Sequence, residues 1–126
     1  MKQVVLASIF LVAVLAVGIV SSMVTASLSD KIVSELERAR LSIKGDNWNN
    51  AEESVGVALE RWEKSRNALG LIASDDELAA TDAAFASVES ALEYRESMEL
   101  DMHIRIAELL IEAISQREAL YWHNFG

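Results

Sequence analysis

Val4–Ala26, VVLASIFLVAVLAVGIVSSMVTA, carries no charge and no proline, and its polar members are small: Ser8, Ser21, Ser22 and Thr25. As a helix rising ~1.5 Å per residue it would be roughly 34 Å long, enough for a hydrocarbon core of about 30 Å. Lipid offers no partner for backbone N–H and C=O groups, so such a run crosses a bilayer only as a helix. The sequence therefore predicts a transmembrane anchor over residues 1–28 and a polar domain over residues 29–126.

Charge fixes the expected orientation and excludes several partners. The 126 residues hold 11 Lys and Arg against 20 Asp and Glu. Lys2 precedes the apolar run, so the rest of the chain is strongly acidic. An acidic domain argues against nucleic acid, whose binding needs a positive footprint, and against docking on anionic lipid. Lys2 on the short flank and Asp30 as the first charge beyond the run predict a cytoplasmic N-terminus and an extracytoplasmic domain. The rival is a cleaved secretory signal, with Val24-Thr25-Ala26 as a small-residue cleavage site; its apolar core would exceed the usual ~7–15 residues. Cysteine is absent, which excludes disulfides, thiolate metal sites and lipid attachment through Cys.

Helical periodicity runs through the remainder. Val24, Leu28, Ile32, Leu36, Ala39 and Ile43 form one stripe. A single helix up to Lys44 is favoured over a break at Ser27–Ser29. Gly45 is expected to end that helix in the left-handed conformation, with Asp46 or Asn47 capping a second helix over Trp48–Leu69. There Trp48, Ala51, Val55, Leu59 and Trp62 face inward, and Gly56 is either a weak point or a close approach. Gly70 stops the second helix. Ser74-Asp75-Asp76-Glu77 reads as a capping box for a third, whose buried stripe is Leu78, Thr81, Phe85, Val88 and Leu92. Ala79, Ala80, Ala83, Ala84, Ala86 and Ala91 around that stripe would let neighbours approach closely. Ser97 is expected to cap a fourth helix with Met102, Ile106, Leu109, Ala113 and Leu120 on one side; Ile104, Leu110, Ile111 and Ile114 widen its apolar surface, which places it centrally in the bundle. The fold expected is all-α: an N-terminal transmembrane helix and a small antiparallel bundle of two helix hairpins.

Gly45-Asp46-Asn47-Trp48-Asn49-Asn50-Ala51 resembles the inter-helix turn of a tetratricopeptide repeat, with Ala51, Val55 and Ala58 at its packing positions. No second copy is legible, and a solenoid needs about three. Over nearly its full length the chain resembles the short bacterial membrane proteins of domain-of-unknown-function family 4363. The likeness rests on the anchor, the corner Gly45, Asp46 and Trp48, the second tryptophan in Trp62-Glu63-Lys64, and a terminus ending near Asn124-Phe125. That resemblance implies architecture and no activity.

The sequence lacks a catalytic set. No serine sits in a nucleophile elbow and no glycine-rich phosphate loop is present. His103 and His123 are the only histidines; Leu100 stands where a di-metal bundle would need the Glu of Glu-x-x-His, and Glu99 alone does not make a site. Asp75, Asp76 and Glu77 lack the loop spacing of a calcium site and read as helix-start charges. No enzyme activity, cofactor or metal is expected. Tyr121, Trp122 and Phe125 are the candidate partner-binding residues, on a helix end that either folds back or meets a partner or the bilayer interface. The expected function is a membrane-anchored extracytoplasmic interaction module binding a membrane-protein partner or itself. The alternatives are a small-ligand or cation-binding sensor or carrier bundle, and a secreted helical protein after signal cleavage.

Overall fold

The computed structural model describes the backbone of residues 2–71 and 73–125, and the side chains of those residues outside 17–28 and 118–125. Four helices account for nearly all of it: α1 (Lys2–Lys44), α2 (Trp48–Leu69), α3 (Asp75–Glu93) and α4 (Ser97–Phe125). There is no strand among the described residues. α1 packs mainly on α2 and α3 mainly on α4; α1 also packs along α4, whereas α2 and α3 touch least. The bundle is thus two hairpins joined through their α1 and α4 members.

α1 runs without interruption from the apolar segment into the bundle, as the missing proline allows. Its first described bundle residues, Ser29 and Ile32, are buried, followed by Leu36, Ala39 and Ser42. The left-handed residue after α1 is Asp46 (φ 57°), and no glycine among the described residues has positive φ, so the expected role of Gly45 passes to its neighbour. The amide of Asp46 donates to the carbonyl of Ile43 (2.9 Å) and that of Asn47 to Ser42 (2.8 Å). This pair of bonds is a Schellman closure. Aspartate tolerates the left-handed region better than most residues, and its carboxylate accepts from Trp48 Nε1 at 3.2 Å. Asn47 caps α2 by accepting from the amide of Asn50 (3.1 Å).

The same closure recurs where α3 meets α4. Arg95 (φ 51°) is left-handed, its amide donates to Leu92 (3.1 Å), and that of Glu96 donates to Ala91 (2.9 Å). The two corners lie 49 residues apart in sequence, Asp46 against Arg95. At that same offset the buried residues of one hairpin fall on those of the other: Ile32 on Thr81, Leu36 on Phe85, Ala39 on Val88, Ala51 on Leu100, Val55 on Ile104, Ala58 on Ala107, and Trp62 on Ile111. The corner therefore has a second copy, though its sequence, Tyr94-Arg95-Glu96-Ser97, shares nothing with Gly45-Asp46-Asn47-Trp48. The corners also touch, with the Arg95 guanidinium 6.0 Å from the Trp48 ring centre.

Trp62 is fully buried and stacks on Phe85 at 6.2 Å between ring centres. Its Nε1 donates to Asp82 Oδ1 at 2.7 Å, which satisfies the one polar atom the ring brings inside. Gly56 is exposed and a methyl there would meet nothing, so it marks no close approach. The capping box at α3 forms with its side chains facing each other. Ser74 Oγ accepts from the Glu77 amide (3.2 Å) and donates to the Glu77 carboxylate (3.1 Å). Four of the alanines expected to admit close neighbours, Ala79, Ala80, Ala83 and Ala86, are exposed; only Ala84 and Ala91 are buried.

α4 departs most from expectation. Ser97 is its first helical residue, so Glu96 holds the cap position. Its buried seam is Leu100, Ile104, Ala107, Ile111 and Ile114, while Met102, Ile106, Leu109 and Ala113 are exposed. Both sets repeat at helical spacing, so periodicity alone could not choose between them. The seam richer in branched aliphatics went inside, and that rotation brings Asp101 beside Arg40. The side chain of Leu120 lies outside the described residues.

Candidate functional site

Three features of the described surface are not explained by packing alone. The first is the apolar start of α1, where Val4, Leu6, Ile9, Phe10 and Val12 are all exposed and leave no polar face. A helix apolar all round is one that needs an apolar environment on every side. Between Val4 and Ala16 the one described polar side chain, Ser8, returns its hydroxyl to the Val4 carbonyl at 2.9 Å. Among the described residues no helix is long and apolar enough to cross a membrane. The described side chains of α1 end at Ala16 and resume at Ser29, so residues 17–28 of the expected span lie outside them.

The second feature is the outer stripe of α4. Met98 is 86% exposed and Leu109 66%, with Met102 and Ile106 between them and Ala113 beyond. At the equivalent places on α2 stand Asn49, Glu53, Val57, Glu60 and Lys64. Glu60 and Lys64 pair there at 2.9 Å, an ordinary solvated helix face.

A charged seam between α1 and α4 is the third. Arg40 Nε donates to Asp101 Oδ1 at 2.6 Å, and its Nη1 donates to Glu37 at 2.8 Å. Glu37 in turn lies against Glu108, whose Oε1 is shielded from water and has no hydrogen-bond partner. Desolvation, then the hydrogen bond and charge of Glu37, push the Glu108 carboxyl up to about 7. Burial also opposes charge on Glu37, but its hydrogen bonds to Glu108 and Arg40 and the Arg40 charge win and hold it low. Two carboxyls thus share a site with unequal claims on a proton. Sequence reading missed this seam because its members come from helices more than sixty residues apart.

Of the residues singled out from sequence, His103 is half-buried on α4, and Asp75 and Asp76 are exposed at the start of α3. No group of three or more His, Cys, Asp or Glu that could hold a metal ion occurs among the described residues. Tyr121, Trp122 and Phe125 continue the helical backbone of α4, but their side chains lie outside the described residues. Between α2 and α3 runs an open groove of about 590 Å³, lined by Glu63, Arg66, Asp82, Phe85, Glu89 and Glu93 among others. A small space beside Trp62, between Ile32 and Ile114, is about 20 Å³, room for one water at most.

Residues 19–125 match the family described as "Domain of unknown function (DUF4363)". No curated protein and no solved structure matches the chain.

Proposed function

This chain belongs to the DUF4363 family, and we propose that it is a membrane-anchored, extracytoplasmic interaction module that acts by association and not by catalysis. The observation that carries this reading is uncovered apolar surface, which water disfavours at about 25 cal/mol per Å². It surrounds the start of α1 and continues as a separate stripe along α4. The first belongs in lipid, with Lys2 on the cytoplasmic side and the acidic bundle outside. The second is the face a membrane-protein partner, or a second copy of the chain, would cover. Methionines at two of its positions suit such a role, because an unbranched thioether adapts to an apolar partner.

The test joins topology to association. A reporter active only after export, fused after Gly126, should be active while the protein stays in the membrane fraction; a mature chain beginning at Ser27 would remove the anchor from the account. Replacing Val4–Val20 with a poly-leucine span and, separately, Met102 and Ile106 with Glu should each be read by crosslinking in the native membrane. Loss of a specific crosslinked species from the second variant supports association through α4. Unchanged crosslinks from both folded variants would leave the ligand-holding reading ahead. That reading draws on the acidic groove between α2 and α3, yet Asp82 there already serves Trp62 and Arg66 (3.0 Å).

A further inference from the structure

The heights of the helices relative to one another point to a second contact with the bilayer. α1 and α4 run antiparallel, with Arg40 beside Asp101 and Glu37 beside Glu108. Lower down, Ser29 and Ile32 share a small space with Ile111, Ile114 and Ser115. α4 does not stop there: it remains helical to Phe125. At ~1.5 Å per residue, residues 121–125 reach about 10–15 Å past the height of Ser29, level with roughly residues 18–22 of α1. That height is inside the uncharged run.

Composition changes within about one turn of the same height on both helices. Asp30 is the first charge after the apolar run of α1; on α4 formal charge ends with Arg117 and Glu118, after which come Leu120, Tyr121, Trp122 and Phe125. An independent segment reaches the same end of the bundle. Leu69, which closes α2, lines the space shared with Ser29, and two residues on Leu71 is 90% exposed in the loop before α3. Arg117 pairs with Glu77 at the start of α3, tying that loop and the end of α4 to one level.

Resting on the anchored reading above, we propose that the last turns of α4, Leu120–Phe125, enter the outer interfacial layer of the bilayer beside α1, with the Leu71 loop touching the same surface. The occupant of the aromatic terminus is then lipid and not a protein partner. Tyr and Trp are enriched at that depth because an amphipathic ring satisfies both the acyl boundary and the headgroups. The acidic bundle makes a zwitterionic surface the fitting one. Two adjacent contacts, α1 and α4, would hold the bundle upright in one rotation, so that the α4 stripe faces along the membrane plane.

The chain has no cysteine, so single substitutions Trp122→Cys, Tyr121→Cys, Leu71→Cys, Ile9→Cys and Met98→Cys each place one nitroxide label. The full chain is reconstituted in phosphatidylcholine vesicles, and collision with oxygen is compared with collision with a water-soluble nickel complex. The ratio at 122 and 121 should be several times that at Met98, which lies at the opposite end, and should approach that at Ile9. Leu71 should fall between. Tyr121 serves if the Trp122 variant does not fold. A water-like ratio at 121 and 122, or labels shielded from both probes, overturns the lipid contact and leaves the terminus in water or folded on protein. If Ile9 itself reads as water-exposed, the anchor has failed, which is a different result.

Discussion

Hairpin α1–α2 and hairpin α3–α4 use one backbone plan with two sets of residues. Each turns through a Schellman corner with a left-handed non-glycine residue, and each buries side chains at the same places along the plan. Inside, volumes are traded: Trp62 answers to Ile111, and Ala51 to Leu100. Outside, chemistry diverges. The face of α2 that carries Glu53, Glu60 and Lys64 corresponds to the face of α4 that carries Met102, Leu109 and Ala113. Packing constrains burial and leaves the outer surface free, so apolar residues on one hairpin's outer face and charged ones on the other's are not explained by packing, and the proposed association would account for them.

The largest expected effect tests the shared interior. Trp62→Ala should cost about 3–5 kcal/mol and Ile111→Ala about 2–5 kcal/mol, as for other large core deletions. Trp62 should be the worse, since it also loses its stacking on Phe85 and leaves Asp82 with one partner fewer. Denaturant unfolding of the full chain in detergent measures both. Costs below about 1 kcal/mol at either place would break the equivalence of the two hairpins.

Next is the seam that joins them. Glu108 titrates near 7 when folded against an ordinary 4.5, so between those values the folded state binds the proton more tightly. Stability therefore falls as pH rises through this window. Glu37 is shifted down, so its contribution is already complete above its ordinary value and adds no slope there. The full shift corresponds to at most about 3 kcal/mol; solvent at this partly exposed group lowers that to on the order of 1–2 kcal/mol. The other charges that act on this pair are Arg40 on α1 and Arg105 and Glu112 on α4. Glu108→Gln should flatten the decline between pH 5 and pH 8. An unchanged slope would detach it from this pair.

The smaller effects separate packing from surface. Gly56→Ala in α2 should stabilise by about 1 kcal/mol, because the site is open and helical; destabilisation would reveal a contact absent from the described packing. Leu109→Gln should move folding stability by no more than about 0.5 kcal/mol, as for a surface position. A loss above 2 kcal/mol would return Leu109 to the core.

Much of this architecture was legible from residues. The helix over Trp48–Leu69, the Ser74 cap, the burial of Trp62 and the continuity of α1 all follow from local rules: capping side chains, one apolar stripe per helix, and the lack of proline. Legibility failed where two answers satisfied the same rule. α4 has two apolar stripes, and only the neighbour it packs on decides between them. Asp46 could take the left-handed position beside a glycine that needed no such conformation. The Glu37–Glu108 seam and the repeated corner are long-range facts with no local signal, since equal backbone does not require equal sequence.

Under the proposed function, association distinguishes the outer face of α4 from its counterpart on α2. Leu109 and Glu60 occupy equivalent places on the two hairpins and are both exposed. A photo-crosslinking residue at each, in otherwise unaltered chain in the native membrane, compares the faces directly. A discrete crosslinked species is expected from Leu109, abolished when Met102 and Ile106 are replaced with Glu, and none from Glu60. Equal crosslinking from both positions, or none from Leu109 in folded, membrane-inserted protein, would contradict it.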